Sequence, residues 1–174
     1  MSPDSKEDTI RKLRERTPKQ KGRFLIFKLG NDEYVLQASK VRKITVFSDL
    51  TTVPQTPDYV RGTINQAGQV IPVIDTRVLL GMEASDVTDQ TCIITVDVVQ
   101  RDRSCPSGLV VDAVAEVVDI AEKDFCEVPH LGSAIKNNFA LRLSTAGGKL
   151  RIFVDVDRLL DWMNFDDLEQ KSRQ

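Results

Sequence analysis

The residue types that could support catalysis are few in this sequence. It contains a single histidine, His130, which lies between a proline and a leucine in a segment typical of a loop. General acid–base and nucleophilic catalysis usually require convergent histidine, cysteine, serine or carboxylate groups. The carboxylates that could pair with one another or with His130 in space are Asp97, Asp112, Asp119 and Asp155. We interpret His130 as a surface residue and the carboxylates as solvated or helix-capping groups; the alternative is a β-barrel hydrolase or small-molecule binder that uses His130 and nearby acids.

The sequence also lacks the common motifs that bind phosphates, cofactors or metal ions. It has no G-x-S-x-G, no G-x-x-x-x-G-K-[ST], no G-x-G-x-x-G after a strand and no H-E-x-x-H. Residues 147–149 (GGK) lack the spacing of a phosphate loop, and we interpret them as a hairpin turn. Cys92, Cys105 and Cys126 are odd in number and widely spaced, which indicates reduced thiols. We therefore expect no enzymatic activity, no cofactor and no metal site.

Composition and charge favour an ordinary globular protein. Of the 174 residues, 41% are hydrophobic and 29% charged, which is enough to build a packed core. The formal net charge of −2 offers no general attraction to a phosphate backbone, so nucleic acid is not expected as a partner. The sequence has neither an N-terminal apolar segment typical of a signal peptide nor a run of about 18 apolar residues, so we expect neither secretion nor membrane insertion.

Short runs of β-branched and aromatic residues predict a mostly β-protein. Residues 1–22 are polar and mixed in charge and are predicted to form a flexible arm, and residues 163–174 a polar tail. Strands are predicted at residues 24–29, 33–36, 41–47, 62–66, 69–74, 91–99, 108–118, 139–143 and 150–154. Residues 100–107, which include two arginines, an aspartate, a cysteine and one proline, are interpreted as an elaborated loop.

Two short helices are predicted, each preceded by an aspartate. Asp75 precedes residues 76–80, with Gly81 as the stop, and Asp155 precedes residues 156–162. An aspartate in this position can accept a hydrogen bond from an unpaired N–H group of the first turn. We therefore expect Asp75 and Asp155 to act as helix caps.

An internal repeat appears when the chain is shifted by 80 residues. Residues 59–75 then align without gaps with residues 139–155, and the aromatic starts, glycine turns and terminal aspartates coincide. Each segment predicts a strand, a tight turn, a buried strand and a capped helix. Two units of about 70 residues would each bury little core alone, so we expect them to pack together around a shared apolar interface.

Five blocks of the sequence form an ordered set of motifs: residues 24–34 (FLIFKLGNDEY), 53–62 (VPQTPDYVRG), 71–77 (IPVIDTR), 108–114 (GLVVDAV) and 153–160 (FVDVDRLL). Together they resemble the successive signatures of CheW-type chemotaxis adaptors. The blocks follow the order of the family and nearly its spacing. The resemblance covers about residues 24–162, and we assign residues 23–162 to one CheW-like domain of two intertwined β-barrel subdomains.

The resemblance implies a fold, a function and a set of partners. The expected fold is all-β with a few short helices, formed by two five-stranded SH3-like barrels around a shared core. The expected function is non-enzymatic: the protein would couple the cytoplasmic tips of chemoreceptors to the regulatory domain of the CheA histidine kinase. It would be cytoplasmic and recruited to membrane-associated receptor arrays.

By match of motif, the resemblance also implies a receptor-binding groove between the two barrels. Its positions here would be Val41, Gly62, Asn65, Gln66, Ala67, Gly68, Gly108 and Val114. The apolar members would suit a helical hairpin tip. For Val41 and Val114 core packing is the competing interpretation, and for Gly62 and Gly108 it is a backbone requirement for positive φ or close strand approach.

Two departures from the family pattern leave a second function open. Val35 stands where the family often has glycine, and the turn that is usually Asn-Leu-Arg-Gly is formed here by Asn65, Gln66, Ala67 and Gly68. The missing arginine suggests an alternative, a divergent adaptor of another motility or signalling pathway that binds a kinase but not conventional receptors.

Overall fold

The computed structural model describes residues 22–127 and 141–160. Residues 1–21 of the predicted arm, the predicted tail, His130, the first two residues of the predicted strand 139–143 and the last two of the predicted helix 156–162 lie outside these ranges. Gly22, assigned to the arm, is the first residue of β1. The described strands are β1 (Gly22–Leu29), β2 (Asp32–Gln37), β3 (Val41–Val46), β4 (Val60–Gln66), β5 (Gln69–Asp75), β6 (Cys92–Gln100), β7 (Arg103–Val111), β8 (Ala113–Ile120), β9 (Phe125–Glu127), β10 (Leu141–Ser144) and β11 (Arg151–Val154). The α-helices are Thr76–Leu79 and Val156–Leu160, and 3₁₀ turns span Ala38–Lys40, Glu122–Asp124 and Ala146–Gly148.

The strands form two curled sheets that exchange segments of the chain. The six-stranded sheet has the order β8-β1-β2-β11-β10-β9, and the five-stranded sheet has the order β3-β6-β7-β5-β4. The chain therefore leaves the six-stranded sheet after β2, builds the whole five-stranded sheet, and returns at β8. The prediction of a mostly β-fold with a few short helices and two curled sheets is confirmed, but one sheet has six strands where five were predicted, because β9 adds a strand at its edge.

The two halves of the chain are equivalent units, which we name repeat 1 (residues 22–79, β1 to β5) and repeat 2 (residues 92–160, β6 to β11). In the β4–β5 hairpin Thr63 pairs with Pro72. The residues 80 positions later, Leu143 and Ile152, pair in the β10–β11 hairpin. The predicted repeat thus holds at the level of strand register for the part of residues 139–155 that is described. The predicted tight turn at residues 147–149 is wrong, because six residues separate Ser144 from its partner Arg151 and include the 3₁₀ turn Ala146–Gly148.

The capping aspartates of the two repeats occupy matching positions. Asp75 Oδ1 accepts a hydrogen bond from the amide of Val78 at 3.3 Å, and Asp155 Oδ1 accepts one from the amide of Arg158 at 3.3 Å. The first helix ends before Gly81, which has a φ of +83°. Both predicted caps and the predicted glycine stop are therefore confirmed.

Two predictions about the middle of the chain are wrong. Residues 100–107 are not an elaborated loop, because Gln100 pairs with Arg103 around a two-residue turn at Arg101 and Asp102, both with positive φ. This is the geometry of a tight hairpin. Pro106 is tolerated within β7 because the pairing of β7 with β5 begins only at Gly108.

The predicted continuous strand at residues 108–118 is interrupted at Asp112. Here the chain passes from the five-stranded sheet (β7) to the six-stranded sheet (β8), and the Asp112 amide donates to the carbonyl of Lys28 at 3.0 Å. A strand that changes sheets must bend at the crossing point. The apolar pattern on both sides of Asp112 hides this corner in the sequence.

Buried apolar residues form one shared core and a smaller core inside each sheet. The shared core joins both sheets and both helices, with Leu25, Phe27, Ile94 and Leu159 among its fully buried members. The curve of the six-stranded sheet encloses Phe24, Ile26, Val35, Ile120 and Phe153. The curve of the five-stranded sheet encloses Val73, Ile93 and Val110. β1 and β6 contribute to the shared core from one face and to a sheet core from the other, which explains their continuous apolar sequences.

Candidate partner-binding groove

The exposed part of the predicted groove is the turn between β4 and β5. Ala67 and Gly68 have φ values of +52° and +80°, and Gln66 pairs with Gln69 across them, as in a type I′ turn. The Asn65 side-chain oxygen accepts a hydrogen bond from the Gly68 amide at 3.0 Å. Because this contact and the strand pairing fix the turn, Ala67 is presented outward on a rigid support.

The start of β3 lies beside this turn. Arg42 Nη1 donates to Gln69 Oε1 at 3.2 Å, which links β3 to the strand that leaves the turn. Arg42 Nη2 also lies 2.6 Å from Asp97 Oδ1 on β6. Val41, next to Arg42, is partly buried against the shared core. The structure therefore brings Val41 and the turn residues to the same end of the five-stranded sheet.

A pocket of about 200 Å³ opens beside β5 at this end of the sheet. It is lined by Gln69, Val70, Pro72, Arg103, Ser104, Cys105 and Pro106. One wall thus belongs to the β4–β5 hairpin and the other to the first half of β7, where β5 does not pair. Its lining combines proline and aliphatic groups with polar side chains and Arg103.

The two glycines assigned to the groove have backbone reasons for their identity. A Cβ on Gly62 would lie 2.6 Å from the carbonyl oxygen of Thr51, and its φ of +153° is unfavourable for other residues. A Cβ on Gly108 would lie 2.9 Å from Ile93 Cγ2 and 3.2 Å from Val73 Cγ2. At both positions the space inside the five-stranded sheet excludes a Cβ atom. The backbone requirement therefore explains these two glycines without a role in binding.

Val114 also lies inside the protein. Its side chain is only 2% exposed and belongs to the shared core, where it is paired through β8 with Phe27 of β1. Of the two interpretations of Val114, core packing is the one that its burial supports. The predicted set thus divides into an exposed part, formed by Asn65 to Gly68 with Val41 at its side, and a buried support.

Sequence reasoning missed the polar network around the turn. Asp97 Oδ1 accepts from Ser104 Oγ at 3.3 Å as well as from Arg42, so three strands are connected by one carboxylate. These residues come from β3, β6 and β7. Ser104 and Asp97 belong to one hairpin, but Arg42 lies 55 residues before Asp97 and becomes its neighbour only through the pairing of β3 with β6.

The described residues offer little for other chemistry. Across residues 22–127 and 141–160, no group of three or more histidine, cysteine, aspartate or glutamate side chains is placed to hold a metal ion. The described cysteines are not joined to one another: Cys92 and Cys105 are buried and Cys126 is exposed. Within the same ranges, no helix has the length and apolar character needed to cross a membrane.

Comparison with known families decides the assignment. The family model of the CheW-like domain matches residues 23–163. The chain belongs to the CheW-like domain family. Members of this family are scaffolding and adaptor proteins, so the expectation of a non-enzymatic chemotaxis adaptor is confirmed at this level.

Individual relatives agree with the family assignment. The chain is 31% identical over 152 residues to the chemotaxis protein CheW of Klebsiella aerogenes, covering 87% of this chain and 88% of that protein. It is 33% identical over 137 residues to the chemotaxis protein CheW of Rhizobium meliloti, covering 78% and 86% of the two chains.

A solved structure supports the fold. The scaffolding protein CheW of Thermoanaerobacter tengcongensis superposes with a TM-score of 0.70 at 26% identity, covering 82% of this chain and 94% of that one. The two curled sheets described above are accordingly the two SH3-like subdomains of a CheW-like domain.

Proposed function

We propose that this chain couples the cytoplasmic tips of chemoreceptors to the regulatory domain of a CheA-type histidine kinase. The observation that carries the proposal is the family match over residues 23–163, which includes every strand that surrounds the candidate groove. The adaptor would act in the cytoplasm, recruited to receptor arrays at the membrane, without catalysing a reaction.

The receptor would bind at the exposed end of the five-stranded sheet. Asn65 and Gly68 hold the β4–β5 turn in one conformation, and Arg42 ties β3 to it, so little conformational freedom is lost on binding. The turn, Val41 and the neighbouring pocket together provide apolar contacts and hydrogen-bonding groups for a helical hairpin tip.

Signal transfer through such an adaptor requires a difference in binding free energy. A receptor state changes the kinase only if it alters the affinity or geometry of the adaptor–kinase contact. The two sheets share one apolar core, so a displacement at the groove has a packed route to the six-stranded sheet.

A second candidate function is favoured by Ala67. At this exposed turn position the side chain offers no donor and no charge, whereas the usual family turn carries arginine. The chain would then be a divergent adaptor that binds a kinase but not conventional receptors.

Affinity capture with a matched pair of variants tests both candidates. The immobilised protein is incubated with cytosol and detergent-solubilised membranes of its own source cells, and bound proteins are identified by mass spectrometry. Ala67→Asp places a carboxylate at the groove, and Asn31→Asp places one at the exposed β1–β2 turn as a control.

Receptor and kinase recovered together, with receptor binding reduced by Ala67→Asp alone, would support the first function. Recovery of the kinase without receptors would support the second. Recovery of neither would contradict both.

A further inference from the structure

The two repeats are held together by exchange of strands, so each sheet is an interface between repeat 1 and repeat 2. The six-stranded sheet takes β1 and β2 from repeat 1, and its other strands from repeat 2. The five-stranded sheet takes β3, β4 and β5 from repeat 1, and β6 and β7 from repeat 2. Because the repeats share one topology, a repeat could in principle pair with the same repeat of a second molecule. Something must favour the unlike pairing.

One ion pair between the repeats joins the first helix to the crossing point between the sheets. Arg77 Nη1 lies 2.6 Å from Asp112 Oδ2. The same oxygen accepts a hydrogen bond from the amide of Gly30, in the β1–β2 turn, at 2.7 Å. We name this contact clasp 1. Its side chains are only 19% and 29% exposed, so the pair is screened less than a surface pair.

A second ion pair occupies the corresponding place in the other half. Lys40 Nζ lies 2.5 Å from Asp157 Oδ2. The other oxygen of Asp157 accepts a hydrogen bond from the amide of Val99, at the end of β6, at 2.9 Å. We name this contact clasp 2. Each clasp therefore joins a helix, a crossing segment and one of the two N-terminal hairpins of the repeats.

At equivalent positions, the two clasps carry charges of opposite sign: the helix residue is the cation in clasp 1 and the anion in clasp 2. Arg77 and Asp157 are both the second residue of the helix that follows a capping aspartate, and they are separated by the 80 residues of the repeat. Lys40 follows β2 and Asp112 follows β7, each where the chain changes sheets. In both clasps repeat 1 supplies the cation and repeat 2 the anion.

Pairing of like repeats would bring like charges together. Two copies of repeat 1 would place Arg77 against Lys40, and two copies of repeat 2 would place Asp112 against Asp157. Each attraction in the native fold would become a repulsion between half-buried charges.

Other ion pairs between the repeats also favour the pairing of repeat 1 with repeat 2. Arg23 with Asp119 and Arg42 with Asp97 again join a cation of repeat 1 to an anion of repeat 2. Glu33 of repeat 1 has the opposite sign and binds Lys149 and Arg151 of repeat 2. The residues of repeat 1 that correspond to Lys149 and Arg151 are Gln69 and Ile71, so like pairing would leave Glu33 without a cation.

We propose that these charges form a recognition code in which each repeat accepts the unlike repeat and rejects a second copy of itself. The need for a code follows from the connection between the repeats. Glu83 to Gln90 are all exposed and form no helix or strand, so the connection can open and let repeats of two molecules meet. Charge patterns that disfavour wrong pairings are a general source of specificity.

Charge-swap variants of the full chain test the code. Swapping one clasp (Arg77→Asp with Asp112→Arg) keeps the native attraction but gives each repeat charges of both signs, so like repeats attract. Swapping both clasps (adding Lys40→Asp with Asp157→Lys) makes the clasp positions of repeat 1 negative and those of repeat 2 positive, which restores rejection at the clasps. The swap of clasp 2 alone is a second single-clasp variant.

Like pairing is measured after refolding at high protein concentration. Isotopically labelled and unlabelled copies are mixed, and cross-links that join the same repeat of two different copies are counted by mass spectrometry. We expect about tenfold more of these cross-links in the single-clasp variants than in the wild type, and a return towards the wild-type value in the double-clasp variant. The double-clasp variant also loses the carboxylates that accept hydrogen bonds from the amides of Gly30 and Val99. If the substitutions acted only by destabilising the fold, this variant would therefore show the most like-repeat cross-links.

The order of the variants is therefore decisive. A double-clasp variant with as many like-repeat cross-links as the single-clasp variants would overturn the proposal. The wild type supplies a measurement that does not depend on how the variants fold: added salt should raise its like-repeat cross-links by screening the repulsion. A wild type indifferent to salt would contradict the code equally.

Discussion

Ala67 is the residue whose identity most affects the proposed receptor contact. It occupies the first position of the two-residue β4–β5 turn and is exposed, with a φ of +52°. Replacement by another residue with a Cβ changes the side chain without a new backbone penalty. The turn can therefore be altered without altering the sheet.

We expect Ala67→Arg to strengthen binding to a conventional receptor tip by about ten- to a hundredfold. A charge-assisted hydrogen bond contributes roughly 1.5–3 kcal/mol when well formed, which corresponds to that range. Affinity for the receptor tip and for the kinase regulatory domain would be measured by calorimetric titration. Asn31→Arg, in the exposed β1–β2 turn, controls for the added charge. Unchanged receptor affinity, or an equal change in kinase affinity, would rule out the role of this position.

Gly62 and Gly108 are expected to be structural, and to differ in how severely alanine destabilises the fold. Alanine at Gly108 meets side-chain methyl groups of Ile93 and Val73, which can shift, so we expect a loss of about 1–3 kcal/mol. Alanine at Gly62 meets a backbone carbonyl at 2.6 Å and has an unfavourable φ, so its loss should be larger. Urea unfolding of both variants measures the free energies of unfolding. The reverse order would show that the sheet relaxes at Gly62.

At the scale of elements, the shortest pairing among the described strands of the six-stranded sheet is the parallel pairing of β2 with β11. Only Tyr34 and Val35 have Cα partners across it, namely Ile152 and Phe153. Glu33 extends this short joint, since it accepts hydrogen bonds from Lys149 at 2.5 Å and Arg151 at 2.9 Å. The contact with Lys149 is the main cause that lowers the pKa of Glu33 below its ordinary value, with Arg151 acting in the same direction against desolvation.

This joint should weaken in acid. Because the pKa of Glu33 is lower in the folded state, its contribution to stability is complete above the ordinary value of 4.5 and is lost as the pH falls through the lowered value. We expect Glu33→Gln to reduce the free energy of unfolding by up to about 1 kcal/mol near neutral pH, with the difference from wild type shrinking below the ordinary pKa. Glu116→Gln, at an exposed position of β8, is the control. A difference that is constant across this pH range would exclude the ion pairs as its cause.

Local elements could be predicted from the sequence where their signals are local. The capping aspartates, the glycine stop and the Ala67–Gly68 turn depend on residues within a few positions of each other, and all are present. β9 was missed because three residues carry too short a pattern. The corner at Asp112 was missed because the change of sheet is a long-range event inside a continuous apolar run.

In the candidate groove, too, local features could be predicted from the sequence and long-range contacts could not. Its exposed turn could be read from the motif, whereas the burial of Val114 depends on the pairing of β8 with β1, about 90 residues earlier. The contact of Arg42 with Asp97 likewise depends on the pairing of β3 with β6, and its contact with Gln69 depends on the curl that brings β3 close to β5. Sequence alone therefore predicts which residues a turn presents but not which neighbours surround it.

At the scale of the whole molecule, the shared core should make the two sheets unfold together. Val35 lies only in the core of the six-stranded sheet and Val73 only in that of the five-stranded sheet, and both are fully buried. We expect Val35→Ala and Val73→Ala each to lower the melting temperature of one common transition, with a loss of about 2 kcal/mol. Scanning calorimetry checks this, since the calorimetric and van't Hoff enthalpies should agree. A second transition that moves with only one of the variants would show independent sheets.

The exchange of strands also constrains how the protein is made on the ribosome. The five-stranded sheet uses one continuous stretch, residues 41–111, and has all its strands before β8 is synthesised. β1 and β2 emerge first, yet their partners β8 and β11 emerge last. Phe24 to Phe27 of β1, buried on both faces in the finished fold, must therefore stay unpaired with β8 for most of translation. Among the described strands, the β1–β2 hairpin therefore waits longest for its partners, and we expect a chaperone that binds nascent chains to act there.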